Sequence, residues 1–426
     1  MNSLEIIIAS ISSLLVMVNI YKIRIQIDNM MSLSYYILII FLFAGSFISL
    51  QGDWWVRKVS ADNIHKAFTL FHLSLIWFSL AVFFYTSFKD KIPVKDKNIQ
   101  FRKGIEKLIF PLLIIIIVLV LLIFFLPDSA LMAFLKRTRE AEDLARIRGD
   151  QGYYFEGPKI ILYFRNLVMG PLLLYMVAFY GIYHYMRHGY TKWFRLLIVL
   201  TAFMLILDLS KAPVVILILL IFLLRYRYAG NPIKVSKFLL IGGVVLIFVY
   251  SIAFNISVWE SVPRILHRLT VSQYAGFPNA LEVFPLHHDY LGINTISGSV
   301  SRMFGQEYVA YSRVLMEFAN PSGVEQGTAG YMSTYYLAEA YAIGGIWMFA
   351  AAAILTPLLL ALIDFVFRRT NDVFFQAFYM VLLIKLPFIL IDGFTRIFIN
   401  QELIFLFIAI LTISYLNNIA RKYQHD

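Results

Sequence analysis

Hydrophobic residues in this chain fall in long, nearly unbroken runs. They do not follow the period of about two or 3.6 that marks a half-buried strand or a surface helix. About eleven runs approach the roughly 20 residues that a bilayer-crossing helix needs. They lie near Leu4–Ile20, Ser32–Leu50, Ala67–Ser87, Leu108–Leu126, Lys159–Tyr183, Leu196–Asp208, Ala212–Leu224, Phe238–Ser257, Ala340–Phe365, Val373–Ile391 and Phe398–Leu416. This pattern predicts an all-α, polytopic integral membrane protein, with residues 1–426 forming a single membrane domain. The run Leu196–Leu224 is too long for one span, and its halves of about 13 residues are short for two. A short hairpin with its apex at Asp208–Pro213 fits it, placing Asp208 and Lys211 within the depth of the membrane. The first run has no basic segment before it and no small-residue cleavage site, so it is expected to be retained as a helix.

The polar segments between the runs set the orientation. Phe88–Lys107 holds seven Lys and Arg residues, the densest basic loop, and is expected on the cytoplasmic side. Counting crossings from there puts the basic clusters at Arg187–Arg195, Arg225–Lys237 and Arg368-Arg369, together with the C-terminal tail, on that same side. The N-terminus and the loops Gln51–Lys66, Pro127–Pro158 and Val258–Glu339 then face the periplasm, and the protein is expected in the inner membrane. Pro127–Pro158 carries apolar residues at near-helical spacing and predicts an amphipathic helix on the outer membrane face. Within it, five basic residues oppose three acidic ones over Lys136–Arg148. Pairs four apart, such as Arg139–Asp143, account for part of that charge as helix support. Val258–Glu339 is the only long segment expected to be exposed to water.

Composition agrees with the pattern. The chain is 60% hydrophobic and only 15% charged, against roughly 25% charged in soluble domains. The net charge of +11 would suggest nucleic acid in a soluble protein; here it reflects basic cytoplasmic loops, and no nucleic-acid partner is expected. With no cysteine, thiolate catalysis, disulfides and Cys-ligated metals are excluded. His287-His288-Asp289 has no further ligands at a metal site's usual spacing, the outward loops hold no D-x-D, and the G-x-S-x-G elbow is missing. No metal and no cofactor are therefore expected.

Candidate chemistry concentrates in the late loop. A helix opened by Pro263 would put Arg264 and Arg268 on one face with His267 beside them, a receptor suited to phosphate or diphosphate. Contacts with carboxylates or lipid headgroups are the plainer role for such arginines. Arg302 and Arg313 lie further along the loop. Lys211 at the hairpin apex either neutralises Asp208 or meets an anion in a polar cavity. Arg165, near the start of its span, can snorkel to the interface. At the loop's end, Gly327-Thr328-Ala329-Gly330 leads to Glu339-Ala340-Tyr341 and Gly344-Gly345. The glycines permit close approach of backbone or substrate, and Glu339 is placed to cap the next helix.

The many spans, the Leu209-Ser210-Lys211-Ala212-Pro213 turn, the large late loop, Tyr290-Leu291-Gly292 and the Gly327-Thr328-Ala329…Glu339-Ala340-Tyr341…Gly344-Gly345 entry together resemble the bacterial oligosaccharide repeat-unit (O-antigen) polymerases. The resemblance covers most of the chain in organisation, with degenerate motifs. Lys211 stands where family members often have Arg. The related O-antigen ligases show a His-Asn-x-Tyr-Leu-like element, of which His288-Asp289-Tyr290-Leu291 lacks one position. The resemblance implies an architecture like that of metal-independent GT-C-type glycosyltransferases. It also implies transfer of a glycan from undecaprenyl diphosphate to a sugar hydroxyl on a second lipid-linked repeat unit at the periplasmic face. Under it, Arg264, Arg268 and Lys211, then Arg165, Arg302 and Arg313, are candidates for the diphosphate. His288, His267 or Glu339 is the candidate base. The expected partners are undecaprenyl-diphosphate-linked oligosaccharides and the lipid bilayer, with room for a chain-length regulator protein. An O-antigen ligase, or a lipid-linked oligosaccharide flippase or other transporter, is the alternative. The lack of a visible internal repeat and the single long outward loop favour the enzyme.

Overall fold

The computed structural model describes residues 1–23, 29–89, 165–186, 190–207, 211–229, 256–326, 329–333 and 335–425, with isolated positions elsewhere. Their regular structure is helical. The first three apolar runs form α1 (Ser3–Ile23), α2 (Met30–Ser49) and α3 (Ala61–Lys89). Next come α4 (Arg165–Tyr185), α5 (Thr191–Ile206) and α6 (Lys211–Tyr228). The late polar segment supplies α7 (Val258–Tyr274), α8 (Gly276–Val283), α9 (Gly298–Met303), α10 (Tyr311–Ala319) and α11 (Pro321–Glu325). It is followed by α12 (Tyr336–Arg368), α13 (Val373–Ile389), α14 (Thr395–Phe398) and α15 (Gln401–His425).

Six segments among the described residues are long and apolar enough to cross a bilayer: Ser3–Lys22, Met30–Ser49, Ala61–Phe88, Arg165–Tyr185, Tyr336–Arg368 and Thr395–Tyr415. The runs expected at Leu108–Leu126 and Phe238–Ser257 fall almost wholly outside the described residues, as does the amphipathic segment Lys136–Arg148. Of the awkward hairpin, α5 has 16 residues and α6 has 18, longer than the 13 expected for each half. The difference lies in the flanks: Thr191–Arg195 and Arg225–Tyr228 continue the helices although they are polar or aromatic. At about 1.5 Å per residue the two helices are roughly 24 and 27 Å long, against a hydrocarbon core of about 30 Å.

The chain divides into two units: residues 1–93, 233–365 and 385–399, and residues 94–232, 366–384 and 400–426. In the second, α5 and α6 pack on α4 and on each other. Gly181 of α4 makes this contact close, because a Cβ there would stand 2.8 Å from Leu224 and 3.0 Å from Phe194.

In the first unit α1, α2 and α3 are tied together by buried polar contacts, the expected devices between helices where burial of apolar surface gives no preference over lipid. Asn19 donates to the Ser79 carbonyl at 2.9 Å, and Tyr35 meets the Ser79 hydroxyl at 2.7 Å. His72 is fully buried, with Nδ1 2.5 Å from Ser12 Oγ and Nε2 3.2 Å from Ser46 Oγ, inside a ring of Phe43, Phe47, Phe68 and Phe71. The buried start of α2 is capped twice. Asn29 accepts from the Ser32 amide and Asp364 from the Met30 amide, both at 2.8 Å, so that two N–H groups at a helix end have partners.

Candidate functional site

The late segment is not the exposed loop that its polarity suggests. It folds as short helices, and α8 is turned inward between α3 and α10, with Phe277, Ala280, Leu281 and Val283 buried. Phe277 stacks on Phe349 of α12 at 5.5 Å with the rings nearly parallel. These apolar residues are used against the spans.

Helix α7 carries the first group of candidates. It begins at Val258, five residues before Pro263, because Ser257 caps it: the Ser257 hydroxyl accepts from the Glu260 amide at 3.2 Å. Pro263 therefore lies inside the helix, correcting the expectation that it opens it. The carbonyl four residues back, which a proline leaves without its usual donor, belongs to Trp259, an exposed residue that water can reach. One side of α7 is pressed on α2, where Gly45 permits contact: a Cβ there would sit 2.5 Å from the Thr270 carbonyl oxygen. The helix also bears Arg264 and Arg268, both exposed, with His267 half-buried beside them. At about 100° per residue these three span roughly 100° of the helix circumference. Neither arginine is in an ion pair among the described residues.

His267 does have a partner. Its Nε2 lies 2.5 Å from Oδ2 of Asp53, on the loop between α2 and α3. The other oxygen of that carboxylate accepts from the Trp55 amide at 3.0 Å and caps the 3-10 turn Trp54–Val56. Asp53 is thus fixed through both oxygens.

This contact belongs to a broader docking of the early loop on the late one. Asn279 donates to the Trp55 carbonyl at 2.9 Å, and Lys58 donates to the Phe318 carbonyl at 2.7 Å. Glu282 accepts from the Ser60 amide, the Ser60 hydroxyl and Asn63, at 2.9, 2.7 and 2.8 Å. Val56, Val59 and Ala275 form a small buried cluster beneath, with Trp55 and Ile64 against it. Burial alone would raise the Glu282 carboxyl; the Asn63 and Ser60 donors, with His287 nearby, outweigh it and hold the group below its ordinary 4.5. The two loops therefore share one face of the unit.

Glu339 is buried at the start of α12, and the helix it caps is not its own. Its carboxylate accepts from the Thr395 amide at 3.1 Å and the Thr395 hydroxyl at 2.6 Å, serving the first turn of α14. Gly393 lets it approach, since a Cβ there would stand 2.5 Å from Glu339 Oε2. Tyr311 closes over the same place and donates to the Asp392 carbonyl at 3.1 Å. Burial, with Glu339 and Asp392 adding to it, pushes the Tyr311 phenol well above its ordinary value, so it remains a donor.

Beyond Glu339, α12 breaks. Gly344 and Gly345 leave helical geometry, and Gly345, at φ 65° and ψ −151°, lies close to a region almost restricted to glycine. The close approach expected at these glycines is made by Tyr290, whose hydroxyl would stand 2.9 Å from a Gly345 Cβ. The Leu291 amide meets the Ala342 carbonyl at 2.9 Å, so Tyr290-Leu291-Gly292 is a brace on the broken helix.

The remaining candidates are engaged in different ways. Arg313 pairs with Glu317 at 3.0 Å and reaches the Ala329 and Gly330 carbonyls at 3.4 and 3.5 Å, holding the end of the glycine-bearing run. Arg302 donates to the Gly298 carbonyl of its own helix at 2.8 Å. His288 Nδ1 is 2.8 Å from the Asp289 carbonyl, and its ring packs edge-on to Phe284. Arg165 is buried at the start of α4, in the second unit. Lys211 opens α6 in that unit, while Asp208 lies outside the described residues.

Among the described residues, then, Arg264, His267 and Arg268 are brought onto one helical face, and Asp53 joins them from the early loop. Sequence reasoning missed Asp53. Standing before Trp54-Trp55 it reads only as a turn cap, and nothing local announces a histidine 214 residues away. Chemically, the face offers two fixed cations and an imidazole held by a carboxylate.

These features define an all-helical protein, among the described residues, with six helices able to cross a membrane. No protein-family model matches the chain, and no curated protein and no solved structure shows significant similarity to it.

Proposed function

We propose that this protein is a glycosyltransferase of the inner membrane. In this reading it polymerises oligosaccharide repeat units carried on undecaprenyl diphosphate, at the periplasmic face, in O-antigen or surface-polysaccharide synthesis. The observation that carries the reading is the α7 face: Arg264 and Arg268 stand exposed, with no ion pair among the described residues, beside a histidine held by Asp53. Transfer from a lipid diphosphate to a sugar hydroxyl needs two things from the protein. Positive charge must stabilise the departing diphosphate, and a base must take the hydroxyl proton. Both kinds of group are present on this face. Within the reading the architecture is an eleven-span relative of the metal-independent GT-C enzymes, with the N-terminus periplasmic and the C-terminus cytoplasmic.

Deleting the gene and resolving surface polysaccharide by length tests the proposal. The expected phenotype is surface chains of a single repeat, restored to long chains by the intact gene. Long chains that accumulate on the lipid carrier would assign the protein as a ligase instead, and repeat units stranded on the cytoplasmic side would assign it as a flippase.

A further inference from the structure

Resting on the polymerase reading, we propose that Asp53 is the positioning residue of a His267–Asp53 dyad, and that Nδ1 of His267 is the atom that takes the acceptor's proton. The carboxylate cannot donate, so the ring nitrogen facing it, Nε2, must carry the hydrogen. In the neutral ring this leaves a lone pair on Nδ1, which has no other hydrogen-bond partner among the described residues. The His267 side chain is 40% exposed while that of Asp53 is 13% exposed, so the orienting group is covered and the ring remains accessible. Asp53 is itself held in register by the Trp55 amide on its second oxygen. The imidazole is therefore set in both tautomer and orientation by a loop from the far end of the sequence, beside the two arginines of its own helix.

The step balances without another reactant. The acceptor hydroxyl gives its proton to Nδ1 as its oxygen forms a bond to the anomeric carbon of the donor glycan. The bond from that carbon to the diphosphate oxygen breaks, and its electron pair leaves on the diphosphate, next to Arg264 and Arg268. The imidazolium formed is stabilised by Asp53, and the proton returns to solvent or to the released diphosphate. The orienting residue touches neither glycan, so its loss is expected to act on turnover more than on substrate binding.

Asp53→Asn is the informative variant. Its amide oxygen can keep the cap on Trp55, which turns the NH2 toward His267; Nε2 must then accept, and the ring proton moves to Nδ1. In the established case of such a substitution the wrong tautomer costs about 10^4-fold in turnover. The full-length protein in lipid bilayers, labelled with nitrogen-15 histidine, reports the tautomer directly, with His267→Gln identifying the signal. The same preparations, given undecaprenyl-diphosphate-linked repeat units, report turnover. The expected result is an Nε2-protonated ring in the wild type and an Nδ1-protonated ring in Asp53→Asn. Turnover should fall by about 10^2–10^4-fold with KM little changed.

A wild-type ring protonated on Nδ1, or a tautomer indifferent to the substitution, overturns the positioning role. A reversed tautomer with undiminished turnover overturns the proton transfer. Failure of the wild-type protein to join repeat units under any condition strikes the polymerase reading and the proton transfer together, whereas the spectra judge Asp53 by themselves.

Discussion

Arg264 and Arg268 are four residues apart on α7, both exposed and in no ion pair among the described residues, so neither needs its side chain for the fold. Substituting either by alanine should leave insertion and expression unchanged. It should also remove one charge-assisted contact to the diphosphate, an effect of about 1.5–3 kcal/mol and so roughly 10–150-fold in polymerisation. Wild-type chain lengths from both single variants and from the double variant would remove the pair from the site. Arg313 is a useful contrast. Its contacts with Glu317 and the Ala329 and Gly330 carbonyls predict that its loss disturbs a loop before it disturbs chemistry. The two kinds of arginine look alike in the sequence. Arg264 too has a carboxylate four residues away on its helix, Glu260, yet among the described residues only Arg313 forms such a pair and reaches loop carbonyls, and that difference is visible only in the fold.

For the elements, the contact of α7 with α2 is the most exacting. A Cβ at Gly45 would meet the Thr270 carbonyl oxygen at 2.5 Å and its carbon at 2.8 Å. Both are backbone atoms on a packed helix, which cannot turn aside as a side chain could. Gly45→Val should therefore lift α7 from α2 and cost about 1–3 kcal/mol or more, seen as a lower melting temperature and earlier protease cleavage within Val258–Tyr274. Unaltered melting and cleavage would show that the helices do not meet there. The long spans were legible because a run of about 20 apolar residues has few other uses. The true lengths of α5 and α6 were not, because Trp193 and Tyr226 can belong equally to a helix or to its flank. The inward turn of α8 was hidden for a related reason: Phe277, Leu281 and Val283 are too few to announce a buried helix until Phe349 stands opposite.

Across the whole molecule, the two loops that share a face are held largely by Glu282, which binds three donors from the start of α3. Because its carboxyl is held below its ordinary 4.5, its contribution is complete at neutral pH and is lost as pH falls through that lowered value. Amide protection over residues 54–64, taken relative to the intrinsic exchange rate at each pH, should be high at neutral pH and lower once pH has fallen through that lowered value, and Glu282→Gln should flatten the difference. Equal protection at both pH values in the wild type would contradict this role. None of this docking could be read from the sequence. It is made by single side chains reaching backbone groups more than 200 residues away, with no periodicity to betray it.

That separation also orders the protein's own birth. Ser60 is made 222 residues before Glu282, and Lys58 is made 260 residues before its acceptor at Phe318. At about 5–20 residues per second, the early loop waits roughly 10–50 s for its partners. During that interval Trp55, Val56 and Val59 lack Ala275, which completes their cluster. A nascent chain halted before Gly276 should expose that loop to protease, and one extended past Ala319 should protect it. The face that carries the proposed chemistry thus waits for the late segment to be made, and a ribosome that stops before it leaves a chain without that face.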